Sequence, residues 1–205
     1  MSSRLDGAGA PRHRGNRHGR SEPARIAVLE AADDLLAEHG LAGVTIEGIA
    51  ARAGVAKQTI YRWWSSKSDI LFDALIADAD EHFTIPGHGD LGRDLRDHLG
   101  QLAVFLTGTD AGAVFRALAG QAQHDPAVAA RFRAEVLGPQ RERDRGPFLA
   151  AIERGQLAAR TDTDLAVGQV VGPLYYRVLI TGESVTAPFT DALVDRYLAG
   201  LTHPS

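Results

Sequence analysis

The sequence predicts an all-α fold, and three observations predict it. Apolar residues recur every three or four positions along most of the 205-residue chain. No alternating apolar and polar run of useful strand length occurs. Glycine and proline punctuate the periodic segments where helices start and stop.

The elements follow in order. Residues 1–21 carry Arg4, Arg12, Arg14, Arg17 and Arg20 against one acid, Asp6, with almost nothing apolar to bury. They are expected to form a disordered basic arm. Order is expected from about Glu22. Pro23 suits a first helical turn, Glu22 complements the positive end of the helix dipole, and Ile26, Leu29 and Leu36 recur at helical spacing as far as Gly40. A very short helix follows Thr45, whose hydroxyl can cap it, and Gly54 stops it. A second short helix runs from Lys57 to about Trp63. Ser66 then opens a longer helix, with Asp69 three residues on to complete a capping box.

Residues 84–90, with Pro86, Gly87 and Gly89, read as a loop. Beyond it, helices are expected over about 91–106 and 111–123 and from Asp125-Pro126 onward, and two more over about 163–181 and 187–201. Pro139 and Pro147 should kink or divide the helix running through them.

Composition narrows the function. There are no cysteines, which removes disulfides, thiolate metal sites and thiol catalysis. No segment approaches the roughly 20 continuous apolar residues of a membrane span, and the N-terminus lacks a secretory pattern. A cytoplasmic protein with no membrane partner is expected. No zinc-protease spacing, glycine-rich phosphate loop or nucleophile elbow appears, so neither an enzyme nor a metal or cofactor site is expected. The net charge of −4 is uneven. Residues 1–67 hold ten Lys and Arg against seven Asp and Glu, net +3, leaving −7 for the remainder. A basic head on an acidic body suits a polyanionic partner at the head.

The segment TIEGIAARAGVAKQTIYRWWSSK, residues 45–67, carries the most information. Two short helices are joined by Ala53, Gly54, Val55 and Ala56. Ile49, Ala50, Val55 and Ile60 have the spacing to clamp one helix across the other, which is helix-turn-helix construction. The first residues of such a second helix reach base edges in a major groove. Gln58 can bind adenine in bidentate fashion, with Thr59 beside it and Arg62 one turn on. Lys57, Lys67 and the hydroxyls of Thr45, Thr59 and Tyr61 suit phosphates. Lys57 and Lys67 are the only lysines in the chain.

These residues resemble the DNA-binding domain of the tetracycline-repressor family, whose pattern is approximately T-x-x-x-I-A-x-x-A-G-V-S-x-x-T-[LI]-Y-x-[HY]-F-x-[SN]-K-x-x-L. Thr45, Ile49, Ala50, Ala53, Gly54, Val55, Thr59, Ile60, Tyr61, Ser66, Lys67 and Ile70 align with it. The resemblance implies that Thr45, Tyr61 and Lys67 hold phosphates and that residues 57–59 approach bases. Three positions depart from the pattern. Ala56 replaces the capping serine, Trp63 stands where a His or Tyr often touches the backbone, and Trp64 replaces the core Phe.

Further on, RGQLAARTDTDLAVGQVVGPLYYRVLITGESVT resembles the approach to the family's last-but-one helix. The resemblance implies that the last two helices pair with their copies in a second subunit. Leu165, Gly168, Val171, Gly172, Leu179, Phe189, Leu193 and Tyr197 are expected at that interface, on helices with more apolar surface than one face of a domain needs. Phe83, Leu102, Phe105, Phe115, Phe132, Phe148, Tyr175 and Tyr176 are expected to line an effector pocket suited to an apolar or aromatic small molecule.

The expected organisation is a basic arm (1–21), a helix-turn-helix DNA-binding domain (22–67), and a helical ligand-binding and dimerisation domain (68–205). The expected function is a ligand-responsive repressor binding a palindromic double-stranded DNA operator as a homodimer. The alternative is a ligand-binding or scaffolding dimer whose head reads no specific DNA site.

Overall fold

The computed structural model describes residues 22–82 and 87–201, apart from the side chains of residues 78–82. The expected arm and Phe83 lie outside the described residues. Those described form helices and no strand.

The head begins with α1 (Glu22–Gly43), whose helical path breaks at Gly40, where φ is +66°. A side chain resists that left-handed conformation, so glycine ends the helix there. Next come α2 (Ile46–Ala53) and α3 (Lys57–Tyr61). Thr45 caps α2 by accepting from Gly48 N at 3.0 Å. Gly54 (φ +66°) closes α2 and turns the chain toward α3. Arg52 is held in a two-pronged ion pair by Glu38, at 2.5 and 2.8 Å, which ties α2 to α1.

Helix α4 (Lys67–His82) opens with the expected capping box: Ser66 N donates to Asp69 Oδ2 at 2.9 Å, and Asp69 N donates to Ser66 Oγ at 3.2 Å. It packs against α1 on one side and α6 on the other, so it belongs to head and body at once. Ile70, Leu71, Phe72 and Leu75 carry that packing and are buried.

The body comprises α5 (Leu91–Gly108), α6 (Asp110–Gln121), α7 (Pro126–Arg131), α8 (Gly138–Glu153), α9 (Thr163–Tyr175) and α10 (Ala187–Leu201). Helix α5 is its axis, packed against α6, α8 and α10. Leu95, Leu99, Leu102 and Leu106 form its fully buried stripe. Buried polar groups are paired across the same layer. His98 Nε2 lies 2.8 Å from Asp144 Oδ1, Gln140 Nε2 donates to Asp144 at 2.9 Å, and Arg154 donates to the buried Asp94 at 3.0 Å. Such groups are costly to bury unpaired, so these bonds fix α5 against α8.

Two wide, π-helical turns interrupt the body: Phe132–Leu137 between α7 and α8, and Tyr176–Thr181 after α9. Pro139 follows the first and Pro173 precedes the second. Proline removes one backbone donor and excludes the carbonyl four residues back, so the helix widens rather than stops. No single described helix is long and apolar enough to cross a membrane.

Candidate nucleic-acid interface

The clamp beneath α3 is built as the sequence predicts. Ile49 and Ile60 are fully buried, Ala50 is buried, and Val55 packs against them. Trp64 is buried in the core, and its indole nitrogen donates to Asp73 Oδ2 at 2.8 Å on α4. With Ile60 pinned inward, the neighbouring positions of α3 face outward. Lys57, Gln58 and Tyr61 are exposed, Tyr61 by 55%. Among the described residues, the Gln58 amide makes no hydrogen bond. Thr59 is half-buried. Arg62 is exposed, with its guanidinium 5.0 Å from the Trp63 ring centre. Trp63 stands edge-on to Trp64 at 5.4 Å, half-buried, on the same side of the head.

The two lysines behave differently. Lys57 Nζ donates to Glu47 Oε1 at 2.9 Å, both side chains being exposed. That hydrogen bond holds the Glu47 carboxyl below its ordinary pKa and lifts Lys57 above its own. Lys67 does not reach outward as expected. Its ammonium donates to the carbonyls of Leu41 and Val44, at 2.8 and 2.9 Å. These carbonyls lie just past the break in α1 and have no helical partner, so a partly buried cation is drawn to them.

Ala56 precedes α3 with no side-chain cap. Ala56→Ser supplies one, and it is expected to raise unfolding stability by about 1 kcal/mol. Urea melts of the two proteins measure the difference.

The apolar faces sort differently from the expectation. Leu165 is 61% exposed and Ile180 73%, and Tyr176 and Leu179 lie on the same run of α9 and its wide turn. Side chains added at Gly168 or Gly172 would meet nothing within 4 Å. Leu193 and Tyr197 of α10 border a groove shared with Leu165. Phe189 lies under the guanidinium of Arg177 at 3.8 Å. Val171 is a correction: it is buried within the chain, 2% exposed, because α9 also turns a face onto α8.

The expected pocket is also redrawn. Leu102 and Phe148 are fully buried in packing, Phe148 edge-on to Tyr197 at 5.6 Å. Phe105 packs against Phe115 and borders a separate surface depression with Arg96 and Val104. Tyr176 is 59% exposed on the outer face, since successive helical residues point about 100° apart and Tyr175 takes the inner position. Phe115, Phe132 and Tyr175 do converge, around a cavity of about 350 Å³ that Gln123, Arg133, Leu137 and Leu179 complete.

One residue escaped the sequence reading. Arg131, at the end of α7, donates to Asp69 (2.9 Å) and Asp73 (3.2 Å) on α4 and to Glu135 (2.8 Å), with its guanidinium 4.4 Å from the Phe72 ring centre. The next residue, Phe132, is a cavity wall. The available signal was the pair Asp69 and Asp73, four apart on one helical face and in need of a cation.

Two short crossed helices on a small core, the second with its outer end free, carried on a helical body, define a DNA-binding regulator of the helix-turn-helix class. Residues 28–74 match the family model for bacterial regulatory proteins of the tetR family, and residues 85–197 match the tetracyclin repressor-like C-terminal domain. The chain belongs to the tetracycline-repressor family of transcriptional regulators. It is 35% identical over 182 residues to the uncharacterized HTH-type transcriptional regulator YdeS of Bacillus subtilis, covering 89% of this chain and 91% of that one. It is 29% identical to the DNA-binding transcriptional repressor TetR of Mycobacteroides abscessus, with 90% and 97% covered. The crystal structure of TetR family transcription regulator SCO0332 superposes with a TM-score of 0.72 at 33% identity, over 86% of this chain and 97% of that one.

Proposed function

We propose that two copies of this chain pair through α9 and α10 and set their α3 helices in successive major grooves of a palindromic operator, repressing the adjacent promoter until a small molecule enters the body. The observation that carries this reading is the outward end of α3, where Gln58 stands free of protein partners beside Lys57, above a fully buried Ile60. Residues 22–67 act as the DNA-binding head and residues 68–205 as the effector and dimerisation body. The protein works in the cytoplasm and catalyses nothing.

Thr45 is suited to a phosphate because its oxygen accepts from Gly48 N, leaving its hydroxyl proton to donate. Exposed apolar residues on α9 and its wide turn, with open space at Gly168 and Gly172, support the pairing face. The effector occupies the cavity bounded by Phe115, Phe132 and Tyr175. Arg131 joins the cavity wall to α4, and α4 reaches the end of the recognition helix through the bond from Trp64 to Asp73. A displaced Phe132 thereby shifts α4 and the spacing of the two heads. By linkage, the operator weakens effector binding by the factor with which effector weakens operator binding.

Operator titrations over a range of salt test the assignment. Lys57→Ala is expected to weaken every DNA sequence alike and to lower the salt slope by about one. Gln58→Ala is expected to leave the salt slope unchanged and to cost about 1–3 kcal/mol of discrimination at one base pair per half-site. If the two variants behave alike, the division into phosphate and base contacts is wrong.

A further inference from the structure

Between residues 22 and 67 the head is not itself cationic: it holds five Lys and Arg against six Asp and Glu. Most of those cations are already engaged. Arg25 meets Glu22 at 3.3 Å, Arg52 is gripped by Glu38, and Lys67 is turned onto the carbonyls of Leu41 and Val44. The recognition helix and the residue after it therefore bring two cations to the outer surface, Lys57 and Arg62. Arg62 makes no ion pair among the described residues and rests over the Trp63 ring. Lys57 does not stand free, because Glu47 reaches it across the turn between the two helices, with Nζ 2.9 Å from Oε1.

Glu47 lies in the first turn of α2, ten residues before its partner. Lys57 has three donors and one charge. Glu47 takes one of the donors and neutralises the charge. The affinity of such a head for any DNA comes largely from the phosphates it neutralises. A carboxylate held against one of two outward cations therefore acts on every sequence.

We infer that Glu47 is an internal competitor for the DNA backbone: it occupies Lys57 in the free protein, lowers the affinity of the head for all DNA alike, and leaves discrimination to the base contacts of Gln58. The inference rests on the proposed regulator reading, since it needs DNA to meet this face of α3. Both side chains are more than half exposed, so the effect is modest and falls with salt.

The full chain, as wild type, Glu47→Gln, Lys57→Ala and the double variant, is titrated with operator and with random duplex at low and high salt. Glu47→Gln is expected to bind both duplexes about threefold to fivefold more tightly at low salt, with their ratio unchanged and the gain shrinking at high salt. In the Lys57→Ala background the same substitution is expected to change affinity by less than about 1.5-fold. A role confined to steadying the positive end of α2 predicts a lower melting temperature for Glu47→Gln with no tighter binding, and that result overturns the inference. So does an equal gain in the Lys57→Ala background, which means that Glu47 merely repels DNA. Without DNA, a carbon-13 titration is expected to place the Glu47 carboxyl below the ordinary glutamate pKa in wild type and to return it toward that value in Lys57→Ala. The same pKa in both proteins means that the pair is not kept in solution, and also overturns the inference. Wild type that binds its operator beside a Glu47→Gln protein that binds no tighter sinks the inference alone. If none of the four proteins binds DNA, the regulator reading falls and the inference with it.

Discussion

Trp64→Ala is expected to abolish operator binding while leaving the two subunits assembled. Trp64 is 3% exposed and follows the recognition helix directly. Its ring closes the floor of the head, and its indole nitrogen ties that floor to Asp73 on α4. Truncating a buried tryptophan to alanine costs about 3–5 kcal/mol, comparable with the whole stability of a small domain. The loss falls first on the head, because Trp64 forms its floor while the fully buried stripe of α5 lies in the body. Operator affinity is therefore expected to fall by more than about 100-fold, with α1 to α3 losing amide-exchange protection first. Sedimentation is expected to show an unchanged dimer. Trp64→Phe keeps most of the ring and loses only the bond to Asp73, so it should retain measurable binding. A Trp64→Ala protein that binds the operator normally removes the clamp from the argument.

The second large effect is expected at the pairing face. Leu165 and Ile180 are 61% and 73% exposed on α9 and its wide turn, where Tyr176 and Leu179 are exposed as well. Leu165→Arg with Ile180→Arg places four added cations in the proposed twofold interface, where like charges and desolvation both oppose association. The protein is expected to sediment as a monomer. Two linked heads gain about 10²–10⁴ in avidity over one, so operator affinity is expected to drop by that order with no residue near DNA altered. Val104→Arg on α5 is the control: Val104 is as exposed, at 63%, and lies beside Gly100 and Phe105 on a different surface. Variants that remain dimeric place the pairing surface elsewhere.

Much of this architecture was legible in the sequence because its determinants are local. Thr45, Ser66 and Asp125 each cap the helix they were expected to cap, since a cap is decided within three residues. Gly40 and Gly54 end their helices because only backbone freedom is at issue there. The inward set Ile49, Ala50 and Ile60 followed from spacing, and the outward set Lys57, Gln58 and Tyr61 is its complement.

What escaped depends on partners distant in the chain. Periodicity shows that α9 is apolar, but not that Val171 faces α8 while Leu165 faces outward. Adjacent Tyr175 and Tyr176 look alike in sequence, and only the angular step between them assigns one to the cavity and the other to the surface. The wide turns after Arg131 and Tyr175 shift the helical phase, so a stripe extrapolated through them lands on the wrong face. Lys67 was expected at a phosphate because it is one of two lysines that flank the recognition helix. The carbonyls that hold it, those of Leu41 and Val44, lie more than twenty residues away.

The most direct measurement is selection of genomic DNA fragments by the full-length protein at moderate salt, followed by footprinting of what is retained. A head that reads sequence through the exposed end of α3 predicts a saturable, palindromic site, with half-sites about one helical turn apart and a changed preferred base when Gln58 is replaced. Retention without any preferred sequence, across all salt concentrations, contradicts it.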